Sequence, residues 1–66
     1  MGYIMTINEH VSIIREINTE LAIFKHKLNI FASIGASKHV SDCAFSIGLR
    51  LDRRKRHVAA INCFQI

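Results

Sequence analysis

Ile7, Ile14, Leu21 and Leu28 recur every seven residues, and so do His10, Ile17, Phe24 and Phe31. Seven of these eight positions are apolar. Two such series, offset by three and four residues, make a single stripe along an α-helix and a scatter on a strand. The many β-branched isoleucines favour extended backbone locally, but strict alternation is missing and the helical period prevails. Ahead of the stripe, Thr6-Ile7-Asn8-Glu9 reads as a capping box. In that motif the Thr side chain accepts from the amide three residues on, and the Glu reaches back. The spacing predicts a first helix over about residues 7–34, roughly 40 Å long at 1.5 Å per residue, behind a disordered lead-in over residues 1–5.

Gly35 stands where a helix ends most easily, in the left-handed C′ position. Residues 35–41 read as a short polar turn, after which Ser41 or Asp42 can cap a second helix over about 42–64. Ala44, Ile47, Leu51, Val58 and Ile61 fall on one side of it, and Phe45, Leu49, Ala60 and Cys63 nearly opposite. Gly48 inside this helix costs about 1 kcal/mol relative to Ala and permits a close helix approach. The tail, Asn62 to Ile66, is expected to fray.

A connection this short favours an antiparallel hairpin. If Ser33 lies near Ser41, Glu20 stands level with Arg54 or Lys55 and is placed to pair with Arg54, the one charge inside the apolar stripe of the second helix. Such a pair adds little net stability but helps to fix the register.

The chain has 66 residues, half of them apolar. That is too apolar for a disordered chain, and too short for more than one domain with a marginal core. Several apolar positions lie outside the seam, so one hairpin leaves apolar surface wet. The expected fold is therefore all-α: an antiparallel two-helix hairpin that dimerises into a four-helix bundle. Its core and self-association residues would be Ile14, Ile17, Leu21, Phe24, Leu28, Phe31, Ile47, Leu51, Val58 and Ile61.

Charge is distributed unevenly. Residues 1–48 balance to zero, and the last 18 residues supply the whole formal charge of +4. Arg50, Arg53 and His57 share one helix flank, with Arg56 beside it. Phosphates attract such a flank through Coulomb forces and counterion release, without reading sequence. The competing reading is a solvated face whose cations suit the C-terminal end of a helix dipole. No aromatic residue is interleaved for stacking on bases, and no zinc-finger spacing is present.

Other classes find less support. The longest apolar stretch, Leu28 to Ala36, is interrupted by Asn29 and Ser33, whereas a membrane span needs roughly 20 apolar residues. No charged and then apolar opening suggests a signal peptide. Met1-Gly2-Tyr3-Ile4-Met5-Thr6 fits the loose myristoylation pattern only formally. His10, His26, His39 and His57 lack the i, i+4 spacing of a helical metal pair, so no metal or other cofactor is expected. The carboxylates are scattered, and no glycine-rich loop or nucleophile elbow presents a Ser or Cys, so no catalytic residue is assigned and the chain is read as non-enzymatic. Cys43 and Cys63, 20 residues apart on one helix, would be about 30 Å apart and unable to bridge.

In its size, the capped amphipathic helix from Thr6 and the short basic second helix from Asp42, the chain resembles the small helical accessory proteins of lambdoid temperate phages. That resemblance implies a small cytoplasmic protein that modulates host or phage processes by binding other macromolecules. The function expected from the sequence is a self-associating, non-enzymatic regulatory module that binds a protein partner. The alternative is a small nucleic-acid-binding protein using Arg50, Arg53, Arg56 and His57.

Overall fold

The computed structural model of the protein describes residues 5–63. Two helices account for almost all of them: α1, Ile7–Ser33, and α2, Ser37–Cys63, packed against each other as a hairpin. The capping box forms as its sequence requires. The Glu9 amide donates to Thr6 Oγ1 at 3.2 Å, and the Thr6 amide donates to Glu9 Oε1 at 3.3 Å. Two of the orphan amides of the first turn are thereby satisfied.

The turn is shorter than the sequence suggested. Gly35 takes φ +73°, and the chain closes a Schellman motif around it. The Ala36 amide donates to Phe31 O at 2.9 Å, and the Gly35 amide donates to Ala32 O at 3.2 Å. The helical bonding of α2 then starts at once, with Val40 N–H donating to Ala36 O at 3.0 Å. The connection is thus residues 34–36, not 35–41, and α2 begins at Ser37 ahead of the expected Ser41 or Asp42 cap. The Gly35 turn presents residue 37 with helical geometry, so no polar stretch is left over for a loop. At its far end α2 includes Asn62 and Cys63, expected to fray. Residues 1–4 of the expected lead-in, together with Phe64 and the end of the tail, lie outside the described residues.

Starting α2 early moves its register by about one helical turn. Arg50, not Arg54, meets Glu20: Arg50 Nη2 lies 3.3 Å from Glu20 Oε2. Arg54 Nε instead donates to Asn18 Oδ1 at 2.9 Å. The inward face turns as well, since Cys43 and Arg50 take the seam in place of Ala44 and Leu51.

The α1 side of the seam is the one its heptad requires, with Ile17 and Leu21 buried and His10, Ile14, Phe24, Leu28 and Phe31 half-buried. On α2 the inward positions are Ala36, Cys43, Arg50 and His57 in one seven-residue series, and Val40, Ile47, Arg54 and Ile61 in the other. Of the expected α2 core, Ile47, Val58 and Ile61 are half-buried, while Leu51 is 48% exposed and points away from the seam. Of the two cysteines, Cys43 is buried and Cys63 exposed. Ile17, Leu21 and Cys43 are the only buried residues among those described. The radius of gyration is 15.1 Å, against about 11 Å for a compact domain of this length.

Candidate functional site

The basic stretch of α2 is the feature to which the sequence attached function, and folding divides its members among different tasks. Arg50 turns into the seam. Its guanidinium carbon stands 4.3 Å from the centre of the Phe24 ring, while Nη1 donates to Ser46 O at 3.2 Å and Nη2 to Glu20. Its Nε is buried without a hydrogen-bond partner. Arg50 is therefore engaged inside the hairpin by a cation–π contact and an ion pair, both of which hold α2 to α1.

His57 also turns inward. Its Nδ1 is 2.8 Å from His10 Nδ1, with ring centroids 5.1 Å apart, so the two rings tie the open end of the hairpin together. Desolvation lowers the pKa of His57 below its ordinary value, and the nearby His10 and Arg53 lower it further. Such a bond needs one Nδ1 to donate and the other to accept, so it cannot form when both rings are protonated.

Arg56 pairs along its own helix, Nη2 to Asp52 Oδ2 at 2.7 Å, with both side chains exposed. Such a surface pair is worth little. Arg53 is exposed and carries no ion pair. Of the four residues expected to form one phosphate-facing strip, Arg50 and His57 are thus committed to the interior, Arg56 to its neighbour, and only Arg53 is left open to an outside partner.

A second group of cations lies elsewhere, and the sequence reading missed it because it followed α2 alone. At 100° per residue, Lys25 on α1 and Lys55 on α2 lie on the same flank as the Asn18–Arg54 hydrogen bond, with Arg15 further round. Glu9, Glu16, Glu20 and Asp42 lie on the opposite flank, that of the Glu20–Arg50 pair, while the fifth carboxylate, Asp52, sits on the outer face of α2 between Lys55 and its partner Arg56. The one signal that could have exposed this division was the phase of the three glutamates along α1, read against the hairpin's antiparallel pairing.

The aromatic residues take part in the same seam. Phe31 stacks on His39 with centroids 4.7 Å apart, and Lys27 Nζ stands 5.6 Å from the Phe24 centroid. Phe45, on the second apolar face of α2, is 69% exposed. Cys43 and Cys63 are both free. Among the described residues there is no pocket, no group of three or more His, Cys, Asp or Glu side chains that could hold a metal, and no helix long and apolar enough to cross a membrane. No protein-family model matches the chain, and neither does any curated protein or solved structure.

Proposed function

We propose that the protein is a non-enzymatic interaction module that self-associates, as a pair of hairpins forming a four-helix bundle, and that works by binding a protein partner. The supporting observation is the mismatch between what this chain buries and what it leaves outside. Among the described residues three are buried, while Ile7, Ile23, Ile30, Ile34, Phe45, Leu49 and Leu51 are each at least 40% exposed. Scattered surface leucines need no explanation, but apolar side chains grouped along a thin hairpin mark an interaction surface. The biological setting consistent with this reading is the one the resemblance implies, a small cytoplasmic accessory protein of a temperate phage. Sedimentation equilibrium at micromolar concentration tests the self-association: a dimer mass is expected, and a monomer throughout would refute it.

Nucleic acid is the second reading, favoured by the carboxylate-free flank of Lys25, Arg54 and Lys55 with Arg15. Each phosphate neutralised on duplex DNA adds roughly 0.9 to the log–log dependence of affinity on salt. Under this reading Lys25→Gln with Lys55→Gln lowers that slope by about 2, whereas Arg50→Gln, acting on a residue held in the seam, leaves it nearly unchanged.

A further inference from the structure

The hairpin has two long flanks, and they differ in what a second copy would meet on each. Four of the seven exposed large apolar residues, Ile23, Ile30, Ile34 and Leu49, fall on the flank of the Glu20–Arg50 pair, and Phe45 stands beside Leu49 on the outer face of α2. On α1 they continue a single stripe, since Glu20, Ile23, Lys27, Ile30 and Ile34 follow i, i+3, i+7, i+10, i+14 spacing. On α2, Phe45 and Leu49 are one turn apart beside Asp42 and Arg53. The opposite flank carries only Ile7 and Leu51 of that set, together with Lys25, Arg54 and Lys55; the one carboxylate near it, Asp52, lies behind Lys55 on the outer face of α2 and is paired with Arg56.

Symmetry turns this difference into a choice. In a two-fold dimer a patch packs against its own copy, so every charge on it faces a patch of the same composition. The carboxylate-free flank would bring cations against cations, and like charges across an interface are strongly disfavoured. The Glu20–Arg50 flank holds Glu16, Glu20 and Asp42 beside Lys27, Arg50 and Arg53, so opposite charges are available from each copy to the other around an apolar centre.

The area agrees with one such contact. The chain exposes 5141 Å², against roughly 4,200 Å² for a compact monomer of its mass. The excess is close to the roughly 800 Å² per partner that a standard interface buries.

The geometry points to the flank bearing Ile23, Ile30 and Leu49 as the surface on which a second copy of this chain docks, with the carboxylate-free flank left facing outward on both copies. This assignment rests on the self-association proposed above and adds which face carries it. The consequence is a division of labour: one flank builds the dimer, and the other presents two cationic surfaces to whatever the dimer binds.

The test compares Leu49→Glu and Phe45→Glu with Leu51→Glu, three exposed positions outside the seam, by sedimentation equilibrium with far-ultraviolet circular dichroism on the full chain. The first two variants are expected to sediment as monomers with the helix content of an isolated hairpin, while Leu51→Glu remains a dimer. Dimers of Leu49→Glu and Phe45→Glu alongside a monomeric Leu51→Glu would overturn the assignment and leave self-association standing. A monomeric wild-type chain would instead refute the self-association itself. Wild-type protein gives an independent readout in case a variant loses its fold. In a mixed isotope-labelled sample, intermolecular nuclear Overhauser contacts are expected at the Ile23, Ile30 and Leu49 methyls. The same contacts at Leu51, with none at Leu49, would overturn the proposal. So would a monomer whose Leu49 signals change only on adding anionic vesicles, which would give that flank to a lipid surface.

Discussion

Between Ala36 and Ile47 the α2 side of the seam is made of Ala36, Val40, Cys43 and Ile47; from Arg50 onward the same series continues as Arg50, Arg54, His57 and Ile61. α1 shows no such change, since its seam stays apolar from Ile14 to Phe31 and turns polar only at His10. The half near the turn is therefore held mainly by excluded water. The open half is held by directed contacts: Arg50 to Glu20 and Phe24, Arg54 to Asn18, and His57 to His10. The comparison teaches that one helix period can be filled by two kinds of chemistry without bending the hairpin, because Arg carries an apolar stem beneath its charged head. It also means that the two halves should respond differently to mutation and to solution conditions.

The largest effect is expected at the position where the halves meet. Ile17 is completely buried, and Leu21 one turn on is 6% exposed. Truncating either to Ala should cost about 2–5 kcal/mol, enough to abolish a cooperative thermal transition in a domain this small. Circular dichroism melting checks this, and a loss below about 1 kcal/mol would mean that apolar burial at this position contributes little to holding the hairpin.

A smaller effect, of opposite sign, should follow from converting the open half to the chemistry of the other. Arg50 occupies a seam position with a buried, unpartnered Nε, and exchanging a partly buried ion pair for well-packed apolar groups is often neutral or stabilising. Arg50→Met combined with Glu20→Gln should leave the melting temperature unchanged or raise it, by an amount worth about 1 kcal/mol. A clear fall would show that the directed contacts contribute more than burial does.

How much of this was legible in the sequence differs between the helices for a physical reason. The α1 seam announced itself because its inward residues are Ile, Leu and Phe at a fixed period, and both of its ends carry local signals, Thr6 with Glu9 and then Gly35. The α2 seam was partly hidden because, beside Arg54, which the stripe already included, its inward positions Arg50 and His57 are residue types that a hydropathy pattern assigns to water. With those positions discounted, Ala44, Leu51 and Val58 set the phase, and the stripe was drawn toward one side of the true seam. The start of α2 was obscured for a related reason: Ser37, Lys38 and Ser41 look like loop residues until the Gly35 turn is seen to feed directly into helical bonding. The candidate site inherited both errors, since Arg50 and His57 were taken as surface while the carboxylate-free flank depends on Lys25 from the other helix.

The smallest predicted effect separates the halves by pH. The pKa of His57 is lowered in the folded chain by desolvation, with His10 and Arg53 adding to the shift, so the folded state favours the neutral ring. A depressed folded value contributes stability that is complete above the unfolded value, near 6.5, and is lost as pH falls through the folded one. Acidification below about 6.5 should therefore loosen the His10–His57 end while the turn half keeps its protection. Residue-resolved amide exchange at neutral and mildly acid pH measures this, and equal loss at both ends would contradict it.

The Gly35 turn also fixes an order of events in time. Three residues separate the helices, so the first contacts between Phe31 and His39 close a very short loop, and each further contact extends an ordered stretch that already exists. Contacts of low sequence separation form early at little entropic cost, whereas His10 and His57, 47 residues apart, meet last. The chain is thus built to close like a zipper from Gly35 outward and to open from the other end. Its polar contacts are placed where assembly finishes, at the end the molecule can release without unmaking the rest.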